Sequence, residues 1–181
     1  RKDDAAEGPS QSPYLQGLML TLEAKTGFVR APVGERDFGD SKFNRVTQSR
    51  RQPGSTFKPI VFAAALEQGH TLSELVVDEP FSLDIPGQAT WTPQNYDLKF
   101  GGQMTLRRAL YDSRNIPTIK LGQLVGEQTV IDEARRFGIS TNVRAVPSIH
   151  IGSADVVPLE MIASFTAFAN TGTRTAPQAI L

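Results

Sequence analysis

The apolar run from Ile60 to Leu66 constrains the fold of this chain more than any other stretch of its sequence. Pro59 precedes the run and Gly69 follows it, a pattern typical of a helix with proline in its first turn and glycine just past its end. Because the run is apolar on nearly all sides, the predicted helix has to lie inside a domain and not on its surface. The run is far shorter than the ~20 apolar residues that cross a bilayer, so it is not a membrane span.

The elements around this helix predict an α/β domain. Alternating apolar residues from Leu18 to Leu22, a turn at Thr26-Gly27 and the stretch from Phe28 to Ala31 predict a β-hairpin. Between residues 71 and 104 the sequence predicts only short extended pieces. Apolar spacing predicts further helices that start at Thr105 and that span residues 116–124, 129–137 and 158–170.

The two ends of the sequence shape the expected domain organisation. Residues 1–13 lack periodicity and are expected to form a linker or tail, whereas residues 14–181 are expected to form part of one domain. The stretch from Pro177 to Leu181 has the pattern of the entry to a strand. A hairpin followed by a helical middle, with no further strands to close a sheet, therefore predicts an α/β domain that is incomplete in this chain.

The composition of the 181 residues excludes several classes of function. Nineteen basic and nineteen acidic residues cancel, so no basic surface points to a nucleic acid partner. The chain has no cysteine, which excludes thiol nucleophiles and thiolate metal sites. Its two histidines, His70 and His150, do not form a cluster with ligand spacing. We therefore expect neither a metal nor a cofactor.

Ser55 and Lys58 form a Ser-x-x-Lys box at the start of the apolar helix. A serine hydroxyl becomes a nucleophile when a base takes its proton, and residues three apart share one helical face. A lysine at the start of an apolar helix is partly desolvated, which favours its neutral, basic form. The spacing is thus suited to covalent acyl transfer. The alternative interpretation is structural: Ser55 caps the helix and Lys58 is solvated one turn later.

Ser113-Arg114-Asn115 provides a second candidate element, in the link between two predicted helices. A Ser-x-Asn sequence placed there can supply a hydroxyl beside the nucleophile as a proton relay and an amide that holds a substrate carbonyl. The sequence Ser140-Thr141-Asn142 has the same spacing, but it follows a helix stop. We interpret that second match as a polar turn whose side chains bond their own backbone.

The segment from Gln52 to Pro59, together with the apolar helix after it, resembles the nucleophile segment of class A penicillin-binding proteins, the bacterial cell-wall transpeptidases. The resemblance extends over nearly all of residues 14–181, and the matching segments follow one another in the same order as in the family. The other matching segments are Gly17 to Val33 at the hairpin, Arg36 to Arg45 before the nucleophile, Trp91 to Asp97 before the Ser-x-Asn box, and Pro158 to Asn170 at the last helix.

The resemblance implies a fold of the penicillin-binding protein and serine β-lactamase type, with a helical subdomain and part of an antiparallel sheet. It implies that Ser55 is acylated by a peptidoglycan stem peptide ending in D-Ala-D-Ala and that Lys58 assists its deprotonation. Ser113 would relay the proton to the leaving D-alanine, and Asn115 would position the substrate. β-Lactams would act as mimics of the donor. The parent protein would lie in the periplasm or on the outer face of the membrane, held by an N-terminal helix.

The third motif of the family, Lys-Thr-Gly on a strand of the active site, is not found after Asn115. The sequence Lys25-Thr26-Gly27 does match it, but this match precedes Ser55 and lies in the hairpin loop, so we interpret it as turn chemistry. We therefore expect that the chain is truncated, or that a second chain or segment supplies the strand. Alone it is expected to have little transpeptidase activity, because the strand carries one of the oxyanion donors.

Two other functions are compatible with the Ser-x-x-Lys box. A class A β-lactamase would need a Glu-x-x-x-Asn sequence after the Ser-x-Asn box, and none of the glutamates there has it. A non-catalytic β-lactam-sensing or scaffolding domain could keep Ser55 and Lys58 without turnover. Trp91 and Tyr96 could line a peptide cleft, although buried aromatic residues more often belong to a core.

Overall fold

The computed structural model describes residues 15–37, 42–87 and 89–179, so the predicted linker at residues 1–13 lies outside the described residues. In chain order the described residues form β1 (Met19–Leu22), β2 (Val29–Val33), a 3-10 helix (Gly54–Phe57), α1 (Lys58–Glu67), β3 (Leu75–Asp78), β4 (Gly102–Thr105), α2 (Leu106–Tyr111), α3 (Asn115–Val125), α4 (Glu127–Arg136), a second 3-10 helix (Pro147–Ile151) and α5 (Pro158–Ala169).

The elements belong to two compact units. Of the described residues, the hairpin unit comprises 15–37, 42–51, 137–141 and 155–179. The helical unit comprises 52–87, 89–136 and 142–154. Among the described residues, none of the helices is both long enough and apolar enough to cross a membrane.

The hairpin unit contains the predicted hairpin. β1 and β2 pair in antiparallel fashion, with Met19 opposite Val33. In the loop between them, the Thr26 side-chain oxygen accepts a hydrogen bond of 3.2 Å from the backbone N–H of Phe28. Lys25-Thr26-Gly27 therefore forms a turn, as predicted. Gln178 forms a parallel bridge to Phe28, so the extended stretch expected near the end of the sequence starts beside the first residues of β2.

Helix α5 of the same unit has phenylalanines that pack together and a glutamate that accepts hydrogen bonds from a neighbouring turn. Phe168 packs against Phe165 and Phe137, with ring centroids 5.4 and 5.1 Å away. On its first turn, Glu160 accepts hydrogen bonds from the hydroxyls of Ser140 and Thr141. The expectation that the Ser140-Thr141 turn bonds its own backbone is thus wrong, because a carboxylate from α5 offers charged acceptors to both hydroxyls.

In the helical unit, α1 is the buried helix that its sequence predicts. Ile60 and Val61 have no exposed surface, and α1 packs against both α3 and α4. The start of the helix differs from the expectation, because a 3-10 turn with Pro53 at its N-cap precedes α1. Thr56, not Ser55, donates its hydroxyl to the Pro53 carbonyl, at 2.7 Å. The interpretation of Ser55 as the helix cap is therefore wrong.

The segment between α1 and α3 is organised by a second two-stranded sheet. β3 and β4 are antiparallel, with Leu75 opposite Thr105 and Asp78 opposite Gly102. Thr105 then caps α2, since its side-chain oxygen accepts a hydrogen bond of 3.2 Å from the backbone N–H of Arg108. The link from α2 to α3 therefore begins from a fixed helix, and the Ser-x-Asn box lies in this link.

A buried histidine in the second 3-10 helix was not anticipated from the sequence. His150 has no exposed surface, and burial lowers its pKa against the opposing effect of Glu127, whose carboxylate lies 3.7 Å from Nε2. Within the described residues neither ring nitrogen has a hydrogen-bond partner. The ring occupies the space over Gly122 of α3, where a Cβ atom would lie 2.3 Å from it. The histidine thus fills the place of a missing side chain on α3.

We predict that Gly122→Ala destabilises the chain, although alanine normally stabilises a helix interior by ~1 kcal/mol relative to glycine. The added methyl group has to displace the His150 ring, and overpacking of this kind costs about 1–3 kcal/mol. Urea unfolding of G122A, H150A and the double variant tests the contact. The cost of G122A should be smaller in the H150A background, and an equal cost in both backgrounds would refute the packing argument.

Candidate active site

Lys58 is the centre of a polar cluster in the helical unit. It is the first residue of α1 and is 1% exposed. Its amine donates hydrogen bonds to the backbone carbonyl of Ser113 at 2.5 Å, to the Ser113 hydroxyl at 3.1 Å and to Asn115 Oδ1 at 2.7 Å. The fold therefore brings together three of the four residues that the sequence singled out.

Ser55, the fourth residue, lies on the 3-10 turn directly before α1. Its side chain is exposed, and its backbone carbonyl accepts a hydrogen bond from the backbone N–H of Lys58. Its hydroxyl forms no hydrogen bond within the described part of the chain, to Lys58 or to any other group. The expected direct contact between Ser55 and the amine is therefore not formed, and the hydroxyl is open to a ligand.

The turn that carries Ser55 is fixed by a backbone contact within the helical unit. The N–H of Gly54 donates to the carbonyl of Gly152 at 3.1 Å. Gly152 follows the second 3-10 helix with a φ of 74°, and a Cβ atom there would lie 2.1 Å from the carbonyl oxygen of Gly54. Only glycine fits this close approach. The second 3-10 helix thus supports the residue just before Ser55.

Burial makes the Lys58 amine lose its proton more readily than an exposed lysine does. Desolvation, followed by repulsion from the Arg114 guanidinium, lowers its pKa to about 8. An ammonium group can donate three hydrogen bonds, and the three acceptors around it match that number. After losing a proton, the amine has a lone pair that can accept a hydrogen bond from the Ser113 hydroxyl. The contact between the two side chains can therefore carry a proton in either direction.

Ser113 is held in a backbone conformation that normally belongs to glycine. Its φ is 52°, in the left-handed region. The N–H of Ser113 donates to the Leu110 carbonyl at 3.0 Å, and the N–H of Arg114 donates to the Ala109 carbonyl at 2.9 Å. These two bonds form a Schellman motif at the end of α2, in which Ser113 has the position usually filled by glycine. Strain of this kind is often retained where a side chain is needed.

Asn115, the first residue of α3, has its side-chain amide engaged at both ends. While Oδ1 accepts from Lys58, Nδ2 donates to the backbone carbonyl of Gln94 at 2.8 Å. Its backbone N–H donates to Asn95 Oδ1 at 2.8 Å. One hydrogen of Nδ2 remains for a substrate carbonyl. The sequence did not single out Asn95 as a site residue, although it lies in the aromatic segment that carried part of the resemblance.

The two aromatic residues of that segment do not form a core. Tyr96 is fully exposed, and Trp91 is half-buried with its backbone paired to Leu83. The expectation that these rings are core residues is wrong for Tyr96. The neighbouring Asn95 has the buried side chain instead, at 3% exposed.

Comparison with known proteins gives a consistent family. Residues 17–180 match the family model described as the penicillin binding protein transpeptidase domain. The chain is 43% identical over 173 residues to penicillin-binding protein 1A of Neisseria meningitidis serogroup A, and this match spans 94% of the chain but 22% of the relative. The chain therefore covers less than a quarter of the length of the curated relatives it matches.

Solved structures show the same similarity in three dimensions. The crystal structure of penicillin-binding protein 1A from Haemophilus influenzae matches with a TM-score of 0.85 at 37% identity, over 90% of this chain and 24% of that one. Penicillin-binding protein A from M. tuberculosis, as its penicillin G acyl-enzyme complex, matches with a TM-score of 0.76 at 25% identity, over 96% of this chain and 50% of that one. The fold is thus the α/β transpeptidase fold that the sequence predicted.

We predict that Ser113→Gly is more stable than Ser113→Ala by about 1 kcal/mol, because both variants lose the hydroxyl but only alanine keeps a Cβ atom at positive φ. Ser73 is exposed and lies outside the left-handed region, so it is a matched control. There the order should reverse, with alanine more stable than glycine. Urea unfolding of the four variants measures both differences. Equal stability of the two Ser113 variants would contradict the strain argument.

Proposed function

The chain belongs to the penicillin-binding protein transpeptidase family, and from this premise we propose that it carries the nucleophile-bearing part of a serine D,D-transpeptidase that cross-links peptidoglycan stem peptides. The observation that carries the proposal is the buried amine of Lys58, held by Ser113 and Asn115 next to the turn with the exposed Ser55 hydroxyl. This arrangement has a nucleophile, a base of lowered pKa and a proton relay.

In the proposed acylation step, Ser55 Oγ attacks the carbonyl carbon of the penultimate D-alanine of a stem peptide, and its proton passes to neutral Lys58. The bond between that carbonyl carbon and the nitrogen of the terminal D-alanine then breaks. The leaving nitrogen takes a proton from the Ser113 hydroxyl, and the Lys58 ammonium restores that proton through its contact with the hydroxyl. The free hydrogen of Asn115 Nδ2 positions the peptide carbonyl.

The acyl-enzyme is then an ester on Ser55. The amine of a neighbouring stem peptide attacks this ester, a new peptide bond forms, and the Ser55 oxygen leaves and regains a proton. A β-lactam enters at the first step, because its strained amide takes the place of the D-alanyl-D-alanine bond. The ester that it leaves on Ser55 blocks the attack of the second peptide.

The rest of the proposal concerns the protein that contains this chain. We assign residues 14–181 to the N-terminal and central part of the transpeptidase domain, with the strand that bears the Lys-Thr-Gly motif supplied from outside these residues. Lys25-Thr26-Gly27 is not that motif, because it forms the turn between β1 and β2. The substrate places the protein in the periplasm or on the outer face of the bacterial membrane, where an N-terminal helix of the parent protein would hold it.

The nucleophile assignment predicts a single covalent penicillin adduct on Ser55 in the full-length protein. Intact-mass measurement before and after incubation should show one added penicillin, and a peptide digest should place it on Ser55. Ser55→Ala should show no adduct, whereas Ser73→Ala, which changes an exposed serine elsewhere in the helical unit, should keep it. Absence of any adduct on the full-length protein would refute the proposal.

Two further measurements separate the related functions. This 181-residue chain alone should acylate much more slowly than the full-length protein, since loss of one oxyanion donor costs ~100- to 1,000-fold. Turnover of a thioester of the stem peptide by the full-length protein distinguishes a transpeptidase from a non-catalytic β-lactam-binding domain. Acylation without turnover would favour the latter.

The pKa of Lys58 predicts the pH dependence of acylation. Because the amine has to be neutral to accept the proton of Ser55, the second-order rate of acylation should rise with pH around a midpoint of about 8 and then level off. Lys58→Arg should abolish acylation, since a guanidinium stays charged. Lys25→Arg is the control, because Lys25 is exposed in the turn between β1 and β2. A flat profile from pH 6 to pH 10 would contradict a base role for Lys58.

A further inference from the structure

We propose that Asp78 and Asn95 are positioning residues for the reaction, which set the place of Asn115 and through it the hydrogen bonds of Lys58. Both side chains are buried, at 0% and 3% exposed, and within the described residues neither forms a hydrogen bond with the turn that carries Ser55. The inference rests on the proposed function, because it assigns these residues to the acylation of Ser55.

The first link is the carboxylate of Asp78, the last residue of β3. It accepts hydrogen bonds from Asn95 Nδ2 at 2.7 Å, from the N–H of Gly101 at 2.9 Å and from Arg114 Nε at 2.8 Å. A buried carboxylate is tolerated only when it is paired and hydrogen-bonded in this way. The Lys99 carbonyl accepts a second hydrogen bond from the same Asn95 nitrogen, at 2.9 Å. Because both partners accept hydrogen bonds, they determine which end of the Asn95 amide faces them.

The second link is the amide of Asn95, which caps α3 from a distant segment of the chain. Its Oδ1 accepts from the backbone N–H groups of Asn115 and Ile116, at 2.8 and 3.3 Å. The N-cap position of α3, at Arg114, provides no side-chain cap of its own. The first N–H groups of a helix need such an acceptor, and Asn95 supplies it. Reversal of this amide would place donors against these N–H groups.

The third link joins Asn115 to the amine, through the bond of 2.7 Å between Asn115 Oδ1 and Lys58 Nζ. Three successive residue contacts therefore connect a carboxylate on β3 to the base at the start of α1. Asn95 fixes the backbone on one side of the Ser113-Arg114 link, and the Schellman motif fixes it on the other. The strained Ser113 lies between two fixed points.

A purely electrostatic role for Asp78 has to be separated from this positioning role. The Arg114 guanidinium bonds both Asp78 and Asp97, and it repels the Lys58 amine. If Asp78 acted only by neutralising the charge of Arg114, substitution of Asp78 and substitution of Asp97 would change the acylation rate to a similar extent. The two aspartates differ in one respect that matters here: Asp78 bonds Asn95, whereas Asp97 is 45% exposed and bonds the backbone N–H of Lys99.

The experiment measures penicillin acylation of the full-length protein under rapid mixing, so that the rate of the covalent step is separated from the affinity of the initial complex. We expect Asp78→Asn and Asn95→Ala to slow the covalent step by about 10- to 100-fold, since a displacement of about 1 Å is sufficient for such a loss. Asp97→Asn, the matched control, should change it by no more than about threefold, as expected for an exposed ion pair.

An exchange of the two side chains tests the hydrogen bond itself. D78N alone sets two amide donors against each other, and N95D alone sets two carboxylates against each other. The double variant D78N/N95D restores one donor and one acceptor between the two positions, whereas the Lys99 carbonyl loses the donor of Asn95 in N95D and in the double variant alike. The covalent step of the double variant should therefore be faster than that of N95D. A general loss of packing would make the double variant slower than N95D.

Hydrogen exchange of the backbone amides provides a readout that does not depend on activity or on a fully stable D78N. In Asn95→Ala the amides of Asn115 and Ile116 should exchange faster, while those of α1 stay protected. If the wild-type protein is not acylated, the proposed function fails and this exchange pattern alone tests the cap. If the wild type is acylated and D78N behaves like D97N, or if N95A keeps the wild-type covalent rate and amide protection, the positioning role is refuted.

Discussion

The burial of one amine is the constraint on which the helical unit depends. Lys58 begins a helix that is apolar on all sides, so its charge can be accommodated only by acceptors brought from elsewhere in the chain. The carbonyl and hydroxyl of Ser113 and the amide of Asn115 are those acceptors. The link between α2 and α3 is thereby tied to the start of α1. The same contacts that stabilise the lysine in the core also hold its amine against the Ser113 hydroxyl.

Most of the secondary structure could be predicted from local sequence, because its signals are local. The apolar run defines α1, the alternation around Thr26-Gly27 defines the hairpin, and the glycines after α3 and α4 mark the helix ends. The start of α1 was harder to predict from the sequence. The Thr56 hydroxyl donates to the Pro53 carbonyl within a 3-10 turn, and neither helical periodicity nor capping rules indicate such a turn. The Thr56 hydroxyl forms the hydrogen bond that stabilises this turn, so the hydroxyl of the neighbouring Ser55 stays exposed and without a partner among the described residues.

The sequence predicted which residues form the candidate site, but it did not predict how they are arranged in space. Two short motifs, Ser55 with Lys58 and Ser113 with Asn115, have spacings that suggest acyl transfer. In the structure Ser113 and Asn115 both contact the amine of Lys58. The supporting residues could not be found in the same way. Asp78 and Asn95 are 17 positions apart, in a stretch whose sequence predicts only short extended pieces. His150 packs over Gly122, which is 28 positions away in the sequence. Such pairs depend on tertiary packing, for which a single sequence has no periodic signal.

The left-handed Ser113 has a consequence for any attempt to improve this protein in the laboratory. Among variants that lose the hydroxyl, a screen for heat resistance would retain glycine in preference to alanine, because the backbone there already has the shape that glycine prefers. Glycine relieves the backbone strain but removes one of the three acceptors of the Lys58 amine, so its two effects on stability oppose each other. A folded Ser113→Gly protein would still lack the hydroxyl that contacts the lysine, and a stability measurement alone would not reveal that loss.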